Sequence, residues 1–258
     1  MTQRWLVVEQ LGEGSIGVVY GAINAETGEP AAIKEVMLIP GAERELLARF
    51  PAQARNVIPV VEHVERSGSL LMRMPRAECS LRAHLRDGRA VMSTSQASAL
   101  LVDLVSGVGE LGDLLHRDIK PENVLRYRDR WCLSDFGIAR IVGASTATYT
   151  WKRAALNAYA APERWYDAEF TRAGDIYSVG VILYEAVSGT RPFPGPSIAE
   201  FNIQHTRWPV PPLPTTVDPG LAALVEQMLD KDPLRRPGGD AILAGVGELR
   251  GDENHRRW

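Results

Sequence analysis

The spacing of apolar residues changes at Met74–Pro75, and this change restricts the fold more than any other feature of the chain. Ahead of it the apolar runs are short, β-prone and interrupted by turn residues. Residues 5–11 and 18–20 read as strands with glycines between them. Glu26-Thr27-Gly28-Glu29 is a hairpin turn in which glycine supplies the positive φ, and 31–36 is the next strand. Residues 43–50 are a short helix candidate, and 57–64 and 70–74 are two more strands that turn at Ser67-Gly68. Behind Pro75 the spacing becomes helical. Residues 80–86 give a short helix, and 93–115 give a long one with Leu100, Leu101, Leu104, Val105, Val108, Leu111 and Leu115 behind a Ser/Thr cap. Residues 174–188, 221–229 and 240–249 continue as helices, separated by proline-rich loops at 192–196 and 209–214. The expectation is an α+β chain divided at this point. Residues 1–74 make a small antiparallel β-sheet with one helix, and 75–258 make a larger, mainly α-helical part.

Composition narrows the function classes. A chain of 258 residues buries most of its apolar surface without staples. Its net charge of −3 offers no basic balance that would point to nucleic acid. No run of about 18 apolar residues exists to span a membrane, and the N-terminus lacks the apolar core of a signal peptide. Cys79 and Cys132 stand far apart, outside any metal-ligand spacing, and read as reduced thiols in or near a core. A soluble, cytoplasmic chain is expected.

Three strings carry chemistry. The first is Gly12-Glu13-Gly14-Ser15-Ile16-Gly17-Val18-Val19, whose glycines let a backbone fold closely over phosphates. A dinucleotide fingerprint has similar spacing but requires a helix next; here a β-branched strand follows, so a hairpin flap is the better reading. The second is Ala32-Ile33-Lys34, a lysine on an apolar strand, where an ammonium needs a partner. Glu43 and Glu45 on the downstream helix candidate are within reach of that role. The third is His116-Arg117-Asp118-Ile119-Lys120-Pro121-Glu122-Asn123, followed by Asp135-Phe136-Gly137. Phosphoryl transfer needs a carboxylate to orient the attacking hydroxyl, a cation on the moving group and oxygen ligands for a divalent ion. Asp118, Lys120, Asn123 and Asp135 supply these in one ordered string.

In this order the strings resemble the eukaryotic-type serine/threonine protein kinases that also occur in bacteria. Ala161-Pro162-Glu163 resembles the A-P-E string that closes the family's activation segment. Asp175-Ile176-Tyr177-Ser178-Val179-Gly180 resembles the helix that braces the catalytic loop. Asp232-Pro233-Leu234-Arg235-Arg236-Pro237 resembles the late motif whose arginine pairs with that glutamate, here Glu163 with Arg236. The resemblance runs from about residue 6 to 249 and implies the two-lobed protein-kinase fold. It implies that Gly12, Glu13, Gly14, Ser15 and Gly17 form the flap over ATP, and that Val19, Ala32, Met72 and Met74 line its adenine pocket. Lys34, positioned by Glu45, would hold the α and β phosphates. Asp118 would act as base or orienter, Lys120 as the cation on the transferred group, and Asn123 and Asp135 as ligands for Mg²⁺, with Mn²⁺ as an alternative. The Lys-Pro-Glu-Asn string is the serine/threonine form. The implied partners are ATP, protein substrates and a second copy meeting through the smaller lobe.

The family pattern is broken in three places. The segment between Lys34 and Glu45 is short. Pro75, in the linker Met72-Arg73-Met74-Pro75, lacks the N–H that adenine takes in relatives. Ala155-Leu156 stands where Gly-Thr is usual. These departures leave a second reading, a pseudokinase scaffold of the same fold. In residues 138–159, Thr148 and Thr150 match the spacing of paired phosphothreonines in relatives, and a phosphate there would meet Arg117.

Overall fold

A computed structural model describes residues 4–14, 17–37, 54–66, 68–87, 91–135, 158–166 and 170–255. The N-terminal part is a five-stranded antiparallel sheet in the order β1-β2-β3-β5-β4. Its strands are β1 (Trp5–Gly14), β2 (Gly17–Asn24), β3 (Pro30–Met37), β4 (Glu62–Arg66) and β5 (Ser69–Pro75). The turn expected at 26–29 closes β2 onto β3. Asn24 Oδ1 accepts from the backbone N–H of Glu26 and Thr27, and Gly28 takes a φ of 73°.

One expected strand is shorter than its sequence implies. Residues 57–60 stay outside the ladder; the Val61 N–H donates to the Arg73 carbonyl of β5 at 2.8 Å, and β4 itself begins at Glu62. Val57 instead makes a single parallel bridge to Leu133, and the Ile58 N–H donates to the Leu133 carbonyl at 2.9 Å. Pro59, which has no N–H to give, separates this bridge from the sheet. The apolar run thus serves two structures and ties the sheet to the helical part.

Behind β5 a second, three-stranded sheet, β6 (Cys79–Ser80), β7 (Val124–Tyr127) and β8 (Arg130–Leu133), flanks the helices. The helices are α1 (Leu81–Asp87), α2 (Thr94–Glu110), α3 (Arg172–Ser188), α4 (Ile198–Arg207), α5 (Pro219–Met228) and α6 (Gly239–His255). Helix α2 starts on a capping box between Ser93 and Gln96 and buries Leu100, Leu101, Leu104 and Val108. It stops short of Leu115 because Gly112 turns left-handed at φ 59°, and the Arg172 guanidinium takes the carbonyls of Val108 and Gly112. Helix α3 is buried on nearly every face from Asp175 to Tyr184, as a central helix must be. Thr171 caps its start and Gly189, at φ 78°, its end. Helix α4 has no sequence expectation behind it, although Ser197 and Glu200 form its capping pair. Among the described residues no helix is long and apolar enough to cross a membrane. Cys132 is buried and Cys79 half-buried, and no disulfide joins them.

Candidate active site

Strand register brings the first group of expected residues to one face. Val19 lies opposite Lys34 across β2 and β3, and Lys34 lies opposite Met72 across β3 and β5. Gly12 is the partner of Val19, and Ala32 of Met74. Directly opposed residues of antiparallel strands share a face, and so do alternate residues along one strand. Gly12, Val19, Ala32, Lys34, Met72 and Met74 therefore look the same way. Two flap glycines differ in what demands them. A Cβ on Gly17 would fall 1.9 Å from the Glu35 carbonyl oxygen, so β3 forbids it; around Gly12 nothing lies within 4 Å. The space beside Gly12 is open, as a backbone that approaches phosphates requires.

The second group is built on a tight hairpin. Strands β7 and β8 pair from Val124–Leu133 to Tyr127–Arg130 and turn at Arg128 and Asp129, both at positive φ (50° and 59°). Two left-handed central residues make the type I′ turn that suits strand twist. The open end of this hairpin carries Asn123 on one side and Ser134 on the other. The Ser134 N–H and hydroxyl both donate to the Asn123 carbonyl, at 2.9 and 3.0 Å. Ser134, the residue before Asp135, is thereby tied to Asn123, which brings together two stretches of chain twelve residues apart at Asn123 and Asp135. Asp135 takes a φ of 64° and its Oδ1 accepts from Lys34 Nζ at 2.6 Å. The Lys34 side chain is only 5% exposed, so this partner offsets the cost of burying the ammonium and joins the sheet to the hairpin.

Pro121–Asn123 form one 3₁₀ turn, with proline at its first position, where no N–H is needed. The turn folds Asn123 and Lys120 back onto Asp118. Asp118 Oδ2 accepts from Lys120 Nζ at 2.7 Å and from Asn123 Nδ2 at 3.0 Å, and the Asp118 carbonyl accepts from Nδ2 at 2.8 Å. Lysine, carboxylate and amide are thus fixed around one oxygen. Beneath them the Asp175 carboxylate on α3 accepts the backbone N–H groups of His116 and Arg117, both at 2.9 Å. Burial pushes the Asp175 carboxyl above the usual carboxylate range; His116 and the two N–H groups oppose this.

The expected pair of Glu163 and Arg236 is present and bidentate, at 2.7 and 2.8 Å, with the Arg236 side chain fully buried. A further network has no sequence forecast. Arg82 of α1 donates to Glu122 at 2.8 Å and to Glu185 of α3 at 2.8 Å, and also meets the Tyr159 hydroxyl. Tyr159 in turn donates to Glu185 at 2.5 Å. Charged residues on short helices are common, and no local pattern announces such long-range partners. Ser15, Glu45, Phe136, Gly137, Thr148, Thr150, Ala155 and Leu156 lie outside the described residues, and with Glu45 so does the expected Lys34–Glu45 pair. Pro75 is the last residue of β5, opposite Ala31.

Among the described residues no three His, Cys, Asp or Glu side chains gather as a metal cluster. Asn123 and Asp135 nevertheless offer two oxygen donors beside two lysines. That donor set suits a hard divalent cation that keeps water and phosphate oxygens as its other ligands.

Sheet, hairpin and catalytic loop together are the frame of one family, and comparison with known proteins agrees. The model of the protein kinase domain matches residues 5–245, and the chain belongs to that family. It is 30% identical to serine/threonine-protein kinase PknA of Mycobacterium tuberculosis, over 95% of this chain and 62% of that protein. It is 30% identical to serine/threonine-protein kinase PkaA of Streptomyces coelicolor, over 94% and 49% of the two chains. A probable serine/threonine-protein kinase, pknA2 of Bifidobacterium longum, is 27% identical over 93% of this chain and 34% of its own. The chain thus spans between 34% and 62% of the length of these relatives.

Proposed function

We propose that this chain is a serine/threonine protein kinase that transfers the γ-phosphoryl group of ATP to hydroxyls of protein substrates. The single observation that carries this reading is the cluster on Asp118 Oδ2: Lys120 at 2.7 Å and Asn123 at 3.0 Å, with the Asn123 carbonyl tied to Ser134, the residue before Asp135. In this reading Asp118 accepts the proton of the incoming hydroxyl as its oxygen bonds to the γ-phosphorus. The bond from that phosphorus to the β–γ bridging oxygen breaks, and ADP leaves with the electron pair. Lys120 neutralises charge on the phosphoryl oxygens, and Lys34 holds the α and β phosphates. Such fixed cations stabilise charge as it develops, without solvent reorganisation. Asn123 and Asp135 would hold Mg²⁺, or Mn²⁺ in its stead, which when bound neutralises the phosphates.

Val19, Ala32, Met72 and Met74 would enclose the adenine. Since Pro75 ends β5, the backbone donor to adenine would come from the residues that follow it. Glu45 would complete the Lys34 site, and Gly14, Ser15 and Glu13 the flap. Autophosphorylation at Thr148 and Thr150, protein substrates and dimerisation through the smaller lobe follow from the resemblance, cytoplasmic residence from the composition and a lobe boundary at residue 74 from the change in apolar spacing, and all belong to the same proposal.

The test is transfer of label from radioactive ATP with Mg²⁺ to the chain or to a generic basic protein, beside Asp135→Asn. Label on the wild type and none on the variant is the expected result. Wild-type protein that binds nucleotide and transfers nothing would overturn the reading.

A further inference from the structure

We propose that Arg164, the residue after the Ala161-Pro162-Glu163 string, is a positioning residue for Asp118. The backbone at Arg117 adopts φ 71°, a left-handed conformation that a residue with a Cβ keeps only when its surroundings hold it. On the N–H side the holding group is the buried Asp175 carboxylate, which accepts from His116 and Arg117 at 2.9 Å each. On the carbonyl side it is Arg164, whose Nη1 donates to the Arg117 oxygen at 3.2 Å. That carbonyl belongs to the peptide joining Arg117 to Asp118. Rotation of this peptide plane would swing the Asp118 side chain; Asp175 fixes the preceding peptide through the Arg117 N–H, and Arg164 fixes this one through its carbonyl.

Arg164 is itself well fixed. Its guanidinium lies 3.3 Å from the centroid of the Phe170 ring, and the Arg117 guanidinium lies over the same ring at 4.4 Å. The neighbouring carboxylate, Glu163, is taken by Arg236 in a bidentate pair. Arg164 therefore spends its donor on a backbone carbonyl. Burial, and then repulsion from Arg117, lower its pKa to about 10, which leaves it charged at neutral pH. The connection is continuous: Arg236 bolts Glu163 to the helical core, the next residue reaches the Arg117–Asp118 peptide, and Asp118 receives Lys120 and Asn123.

This inference rests on the reading of Asp118 as the group that orients the acceptor hydroxyl. The experiment compares wild type with Arg164→Met, Arg164→Lys and Phe170→Leu. It reads kcat and KM for ATP in phosphate transfer to a basic protein, affinity for a fluorescent ATP analogue, and the thermal midpoint. A displaced base costs turnover, not nucleotide binding. Arg164→Met is expected to lose about 10- to 100-fold in kcat with KM and nucleotide affinity within about twofold of wild type. Arg164→Lys, which keeps a charged donor, recovers part of that loss. Phe170→Leu, which removes the stacking surface alone, shifts kcat in the same direction by less. Wild-type kcat in Arg164→Met overturns the proposal. So does a loss of kcat matched by an equal loss of nucleotide affinity and of thermal midpoint in all three variants, which would assign Arg164 to the fold alone. Absence of transfer by the wild type would instead defeat the reading of Asp118.

Discussion

Removing Arg236 should destabilise the helical part more than any surface charge could. Its side chain is fully buried and that of Glu163 is 11% exposed. The guanidinium makes four well-placed donations: two to Glu163 at 2.7 and 2.8 Å, one to the Ala173 carbonyl at 2.9 Å and one to the Asp230 carbonyl at 2.8 Å. In Arg236→Leu the Glu163 carboxylate stays buried without its cation, and two carbonyls lose a donor. Breaking a buried pair from one side costs about 3–5 kcal/mol. That is about a fifth or more of the stability of an ordinary domain. In urea, with a slope of about 3 kcal/mol per molar, the midpoint should fall by about 1–2 M. The reverse holds for Glu163→Leu with Arg236→Leu together. With both charges gone and the volume filled by apolar atoms, the double variant should be more stable than Arg236→Leu alone, because the uncompensated charge is what costs. The assay is equilibrium urea unfolding followed by circular dichroism and tryptophan fluorescence, as a double-mutant cycle. A midpoint shift below about 0.3 M for Arg236→Leu, or strict additivity of the two single variants, would refute the reasoning.

Two other expectations separate structural from ligand-driven roles. Gly17→Ala puts a Cβ against the Glu35 carbonyl and should lower the thermal midpoint, whereas Gly12→Ala meets open space and should leave it unchanged while weakening ATP binding; calorimetry with and without nucleotide distinguishes them. His205 is buried among Phe193, Tyr177, Phe201 and Trp165, and burial, with Lys231 and Arg191 adding repulsion, lowers its pKa to about 3. Its neutral form is the folded form, so its contribution is present above the unfolded value of about 6.5 and is lost as pH falls below that. Between pH 7 and pH 5 the loss is about 2 kcal/mol, and His205→Gln should flatten that part of the stability profile measured by urea unfolding.

The chemical residues were legible in the sequence because their order is itself the constraint. A carboxylate, a lysine and an asparagine five residues apart must fold back on one another, and the 3₁₀ turn at Pro121 does this locally. The hairpin that aligns Asn123 with Asp135 was not legible. Its strands are four residues each, and its turn uses Arg128-Asp129 where Asn-Gly would have announced the same backbone. The strand expected at 57–64 was met only from Glu62 onward, for the opposite reason. Its residues are β-prone, but Pro59 and the bridge from Val57 to Leu133 divide them between two sheets.

Long-range charge pairing marks the deeper limit. Arg82 and Glu185 are 103 residues apart and meet only because α1 packs near the middle of α3. Nothing local distinguishes Arg82 from Arg86, its exposed neighbour one turn on. Arg164 is a similar case, being merely the residue after a recognised string until the fold sets its guanidinium on the Arg117 carbonyl. By contrast, Val19, Ala32, Lys34, Met72 and Met74 were grouped in advance by the family resemblance, and the period of two is consistent with it only within a strand, where Ala32 shares a face with Lys34 and Met72 with Met74. What the period cannot supply is the offset between strands, and a slip of one residue would have turned Met72 and Met74 away from Lys34. That offset is settled by burial. Leu70 and Met72 are almost wholly buried while Leu71 and Arg73 are only half-buried, so the register that buries the first pair also delivers the lysine to the face where Asp135 waits.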